Sequence, residues 1–136
     1  MKFKPILVVD DHDDSRELIA TFLSQEGYPV LQAANGKEAL DLLLADGQEA
    51  PCLVVLDLDM PVMSGLEFLA LARSLERIST IPVVVTSGSR DHLETLRLEG
   101  VVASVPKPVN LATLLSITKE ASVGATPPPG QRTQGT

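Results

Sequence analysis

Tryptophan is absent from this chain and aromatic residues make up only 3% of it, so any core must be assembled from Leu, Val, Ile and Ala. Such a core suits short buried strands covered by helices. A single cysteine, Cys52, excludes an internal disulfide, and it precedes an apolar run where it reads as a small buried hydrophobe. No run of Lys or Arg occurs, and 18 acidic residues face 11 basic ones, which speaks against nucleic acid as a partner. The apolar run at the start, Ile6–Val9, stops at charges and is too short for a signal peptide or a membrane span. A cytoplasmic protein without a membrane partner is the default expectation.

What is present is alternation. Five short aliphatic runs, at 6–9, 29–34, 53–56, 83–86 and 101–105, are separated by helical patterns. The first helical pattern, 15–26, places Leu18, Ile19, Phe22 and Leu23 on one stripe and stops at Gly27. The second follows Asn35, with Glu38 completing a capping-box pattern. A third starts near Gly65, with Leu66, Leu69 and Ala70 on one side and Phe68, Leu71, Ala72 and Leu75 on the other. A more polar fourth covers 90–99, and a fifth begins after Asn110. This order predicts an α/β fold, a doubly wound (βα)5 three-layer sandwich. Residues 1–123 form the expected domain. The Pro- and Gly-rich stretch 124–136 reads as a flexible tail with no second domain after it.

In a parallel sheet of this kind the functional crevice lies at the carboxyl ends of the strands. Strand one is followed by Asp10-Asp11, strand three by Asp57-Leu58-Asp59-Met60-Pro61, strand four delivers Thr86-Ser87-Gly88, and strand five leads into Pro106-Lys107-Pro108. With strands one and three adjacent, their carboxylates converge. Three carboxylates in one pocket repel unless a cation intervenes, and Mg²⁺ accepts such oxygen ligands. A Lys and a Thr nearby complete a site for the oxygens of a phosphoryl group, for which an aspartate is a competent nucleophile. Each residue alone has an ordinary explanation. Asp13 or Asp14 caps the first helix, His12 and His92 read as surface residues, and Met60 and Met63 as loop packing.

Asp10-Asp11, the Asp57-Leu58-Asp59-Met60-Pro61 run with Gly65 beyond it, Thr86 and Lys107-Pro108 together resemble the response regulator receiver domain of bacterial two-component signalling. The resemblance spans about residues 4–121 and implies a flavodoxin-like sheet in the order 2-1-3-4-5. It also implies that Asp57 is phosphorylated by a phosphohistidine on a sensor histidine kinase or a histidine phosphotransfer protein. Asp11 and Asp57 would bind Mg²⁺ (or Mn²⁺) directly, Asp10 through water, and Asp59 through its main-chain carbonyl. Thr86 and Lys107 would contact the phosphoryl group, and the Lys107–Pro108 bond would be cis. The family implies an unidentified downstream protein, and a monomer whose phosphorylation could drive dimerisation.

One position departs from the pattern. Where receiver domains carry an inward-turning aromatic ring, this chain has Ser104, so the usual relay from Thr to ring cannot operate in that form. Small Ser87 and Gly88 suggest open access of water and a short-lived acyl phosphate. Two other readings remain: an interaction module that works without phosphorylation, and a haloacid-dehalogenase-type phosphatase using Asp57-x-Asp59. The second normally carries its motif after the first strand, not the third.

Overall fold

A computed structural model of the chain describes residues 3–60, 63–88 and 100–123. Five strands, β1 (Ile6–Val9), β2 (Val30–Ala33), β3 (Leu53–Asp57), β4 (Val83–Ser87) and β5 (Val101–Pro106), form one parallel sheet in the order 2-1-3-4-5. The helices are α1 (Asp13–Gln25), α2 (Gly36–Leu44), α3 (Gly65–Ser74) and α4 (Leu111–Ser122). The helical pattern over 90–99 and the stretch 124–136 lie outside the described residues, as does His92.

Successive side chains of a strand point to opposite faces, and this divides the core in two. Leu7, Val9, Val54, Leu56, Val83 and Val85 pack on one face against Ala39 and Leu43 of α2 and Phe68, Leu69 and Ala72 of α3. Ile6, Val8, Leu53, Val55, Val84 and Val105 pack on the other face against Ile19 and Leu23 of α1 and Leu114 and Ala121 of α4. Phe68 is the largest side chain with almost no exposure, and its burial contributes about 2–3 kcal/mol. It fills space that no Trp is available to fill.

The helix ends follow local chemistry, with some differences from expectation. Asn35 caps α2 by accepting from the Glu38 N–H at 2.9 Å, but Glu38 Oε1 reaches back to the Ala34 N–H rather than closing a box on Asn35. The reciprocal box occurs instead at α3, between Ser64 and Glu67. Asn110 caps α4 through the Thr113 N–H. Neither Asp13 nor Asp14 caps α1: His12 stands at the N-cap without a side-chain bond, and both acids lie in the first turn. Gly27, at φ +102°, ends α1 in the left-handed region that glycine occupies without strain.

The buried stripes are narrower than the spacing predicts. Leu18 on α1, and Leu66 and Leu71 on α3, are exposed, because each helix lies on the sheet along a narrow line of contact. The same geometry buries Phe68 and Leu69 together and turns Ala70 outward.

Candidate functional site: an acidic pocket at the strand ends

The two central strands bring their terminal acids together. Asp57 is the last residue of β3, and Asp10 follows β1 with its N–H bonded to the Ala33 carbonyl at 3.1 Å. Both side chains are buried, Asp57 to 1% exposure and Asp10 to 3%. Thr86 pairs directly with Asp57 in the register of β3 and β4, and the Leu58 N–H bonds to the Thr86 carbonyl at 3.0 Å. The backbone N–H of Lys107 bonds to the Ser87 carbonyl at 3.0 Å, which fixes the loop after β5 over the same pocket. The Lys107–Pro108 bond is cis, as expected.

Asp57 is divided between its two oxygens. Oδ1 accepts from the Asp59 N–H at 3.0 Å and pairs with Lys107 Nζ at 2.9 Å. Oδ2 is buried and has no hydrogen-bond partner. Burial raises the Asp57 pKa above its ordinary value and Asp10 adds to the rise; the Asp59 N–H and Lys107 only partly offset them. For Lys107, burial pulls the ammonium down, but its hydrogen bond to Asp57 and the fields of Asp57, Asp10 and Asp59 outweigh that pull. The net direction for Lys107 is upward.

The loop after β1 is shaped by a residue that the sequence reading did not single out. Arg16 donates to the Asp10 carbonyl at 2.9 Å, to Asp13 Oδ1 at 2.7 Å and to Gln32 Oε1 at 3.1 Å, linking β1, α1 and β2. The spacing of Asp13 and Arg16, three apart on a helix, was the available signal. His12 donates its backbone N–H to Asp10 Oδ1 at 2.9 Å. Its ring is exposed, as expected of a surface residue, and places Nδ1 3.3 Å from Asp11 Oδ1 and 3.7 Å from Asp10 Oδ1.

The other anticipated residues take distinct places. Asp59 is exposed, and its Oδ2 accepts from Ser87 Oγ at 3.4 Å, so its carboxylate lies outside the acidic cluster. Gly88 is exposed, whereas Ser87 is buried. Ser104 pairs with Val85, while Thr86 pairs with Val105; Ser104 and Thr86 therefore project to opposite faces of the sheet. The Ser104 hydroxyl is buried without a hydrogen-bond partner. Gly65 packs under the site, where an added Cβ would meet the Asp57 carbonyl and Leu58 Cα at 2.7 Å. Only glycine allows that approach.

The carboxylates of this pocket fit a hard divalent cation. Asp10, Asp11, His12 and Asp57 each offer one ligand atom, all within 4.8 Å of one another. Asp11 Oδ1 and Asp57 Oδ2 are buried without a hydrogen bond, and such oxygens are costly unless something positive reaches them. Beside this cluster lies a groove of about 430 Å³, lined by Asp10 and Lys107 together with the apolar Leu18, Ile19, Pro108 and Leu111.

Comparison with known proteins agrees with this geometry. Residues 6–119 match the family model for the response regulator receiver domain. The chain belongs to that family. It is 32% identical over 111 residues to sporulation initiation phosphotransferase F of Bacillus subtilis, covering 82% of this chain and 87% of that one. Among solved structures, a response regulator receiver protein from Pseudomonas putida superposes with a TM-score of 0.78 at 31% identity, covering 88% of this receiver domain chain and 98% of the other. The response regulator TrrA from Thermotoga maritima, solved in complex with Mg²⁺–BeF, gives a TM-score of 0.72 at 31% identity, covering 87% and 98%. The sheet order and the family are thus established together.

Proposed function

We propose that this receiver domain accepts a phosphoryl group on Asp57 in a Mg²⁺-dependent reaction, and that its donor is a phosphohistidine on a sensor histidine kinase or phosphotransfer protein. The observation that carries the reading is the state of Asp57: one oxygen is held by Lys107 and the Asp59 N–H, and the other, Oδ2, is buried and unpartnered. That leaves Oδ2 as the nucleophile. It attacks phosphorus, the phosphorus–nitrogen bond of the donor breaks, and its electron pair leaves with the imidazole.

Asp11 and Asp57 would hold the metal directly, with Asp10 acting through water and Asp59 through its main-chain carbonyl. Bound there, Mg²⁺ (or Mn²⁺) supplies positive charge that offsets the carboxylates and the incoming phosphoryl oxygens. Lys107 Nζ, already 2.9 Å from Asp57, stays beside the transferred group and pairs with one of its oxygens. Thr86, next to Asp57 on β4, would donate its hydroxyl to another.

The exposed Leu18 belongs to this reading. It lines the groove that also takes in Asp10 and Lys107, and apolar walls beside a carboxylate and an ammonium suit a partner helix that presents a phosphohistidine. The output would be a shift between two arrangements of the loops after β4 and β5, read by a downstream protein. With Ser104 and Thr86 on opposite faces, the signal would travel through these loops and not through a ring at position 104. Exposed Gly88 favours a short-lived phosphoryl group by leaving water access on that side.

The reading is tested by incubation with acetyl phosphate and measurement of intact mass. A gain of one phosphoryl group with Mg²⁺, abolished by EDTA and restored by excess Mg²⁺, is the expected result. No gain with any donor would favour an interaction module that works without phosphorylation.

A further inference from the structure

The acidic pocket holds one donor that phosphoryl chemistry does not use. His12 follows the two acids of the β1 loop and turns its Nδ1 toward them, 3.3 Å from Asp11 Oδ1 and 3.7 Å from Asp10 Oδ1. Ligands held about 2.0–2.1 Å from a tetrahedral ion lie about 3.3 Å from one another; the His12 separations are close to that, and the four ligand atoms, all within 4.8 Å of one another, would draw together on a single metal. Asp11 Oδ1 and Asp57 Oδ2, both buried and without a hydrogen bond, belong to the same group of four residues.

We infer that His12 gives this pocket a second metal mode, in which its Nδ1 joins the carboxylates of Asp10, Asp11 and Asp57 to bind a borderline-soft divalent ion such as Zn²⁺. Softness separates the two modes. Mg²⁺ prefers oxygen donors and keeps several waters, so the imidazole adds little to its binding. Zn²⁺ accepts imidazole nitrogen and carboxylate oxygen in a closed tetrahedron. The charge also suits a dication, since three carboxylates and one ammonium leave two negative charges and a neutral imidazole adds none.

The consequence rests on the phosphoacceptor reading given above. A tetrahedral ion with four protein ligands occupies Asp57 Oδ2 and leaves no position for a phosphoryl oxygen. Zn²⁺ would therefore compete with Mg²⁺ and hold the domain in its unphosphorylated form.

Calorimetric titration of metal-free full-length protein with Zn²⁺, and separately with Mg²⁺, tests the inference. His12→Asn should weaken Zn²⁺ binding about tenfold or more while the Mg²⁺ constant changes less than about threefold. The readout specific to the ligand is the imidazole nitrogen spectrum: saturating Zn²⁺ should shift the His12 Nδ1 resonance, and Mg²⁺ should not. Equal Zn²⁺ affinities in wild type and His12→Asn would overturn the inference, as would an unmoved His12 resonance or loss of binding in His92→Asn instead. None of these readings depends on acetyl phosphate, so a failed phosphorylation would leave the zinc result interpretable.

Discussion

Lys107 Nζ lies 2.9 Å from Asp57 Oδ1 across the carboxyl ends of β3 and β5, two strands separated in the sheet by β4. The pair joins a buried acid to a partly exposed base, and it leaves the second oxygen of Asp57 free of any hydrogen bond. A site built for stability alone would satisfy both oxygens. This one holds an unsatisfied oxygen in place by rigid strands, which is a feature of a site prepared for a ligand.

The first expectation concerns pH and Asp57. Its pKa in the folded protein is raised, so between the unfolded and folded values the native state binds more protons than the unfolded chain. Stability of the metal-free domain therefore falls as pH climbs through that window and stays reduced above it. Asp57→Asn removes the buried charge and should raise Tm by a few degrees in EDTA at neutral pH. Added Mg²⁺ should stabilise the wild type and leave the variant nearly unchanged. Thermal melts with and without chelator measure both effects.

Arg16→Ala should loosen the β1 loop. The variant loses hydrogen bonds to the Asp10 carbonyl, Asp13 and Gln32. With the guanidinium partly shielded from solvent, a cost of about 1–2 kcal/mol is expected in urea unfolding. Mg²⁺ affinity should fall as well, because Asp10 and Asp11 are no longer held in place. Arg16→Lys should recover only part of it, since an ammonium cannot span three acceptors with fixed geometry.

The groove provides a way to separate chemistry from recognition. Leu18 is 59% exposed, lines the groove, and offers no polar group to the phosphoryl chemistry. Leu18→Arg should leave uptake from acetyl phosphate unchanged and slow transfer from a cognate phosphohistidine protein about tenfold or more. Parallel time courses with the two donors decide it.

Ser104 should be a site where stability can be gained. Its hydroxyl is buried with no hydrogen bond, at a cost of roughly 1–2 kcal/mol. Ser104→Ala should raise the urea midpoint by a corresponding amount without a change in the m-value. Phosphoryl uptake should not change, because Ser104 lies on the face of the sheet away from Thr86.

Much of this could be read in the sequence because the fold turns order along the chain into proximity. Asp10, Asp57, Thr86 and Lys107 are recognisable since each follows a short aliphatic run, and the parallel sheet brings those ends together. What failed was orientation. Leu18, Leu66 and Leu71 have the right spacing for an apolar stripe, yet only the docking angle of a helix decides which of its apolar residues meet the sheet. The roles of Arg16 and of the His12 ring are not legible for a related reason. Both are polar residues of a helix start, and their contacts depend on how the β1 loop turns over Asp10. The capping box expected at Asn35 and found at Ser64 shows the same limit, since the Glu38 side chain accepts from the Ala34 N–H and not from that of Asn35.

The central claim is that Asp57 is the phosphoacceptor. It is tested most directly by intact-mass spectrometry of wild type, Asp57→Asn and Lys107→Ala after incubation with Mg²⁺ and acetyl phosphate. The wild type should gain the mass of one phosphoryl group and Asp57→Asn should gain none. Lys107→Ala should gain it about ten- to a hundredfold more slowly, having lost the ammonium beside Asp57. An equal gain in Asp57→Asn, or no gain in the wild type, would contradict the account.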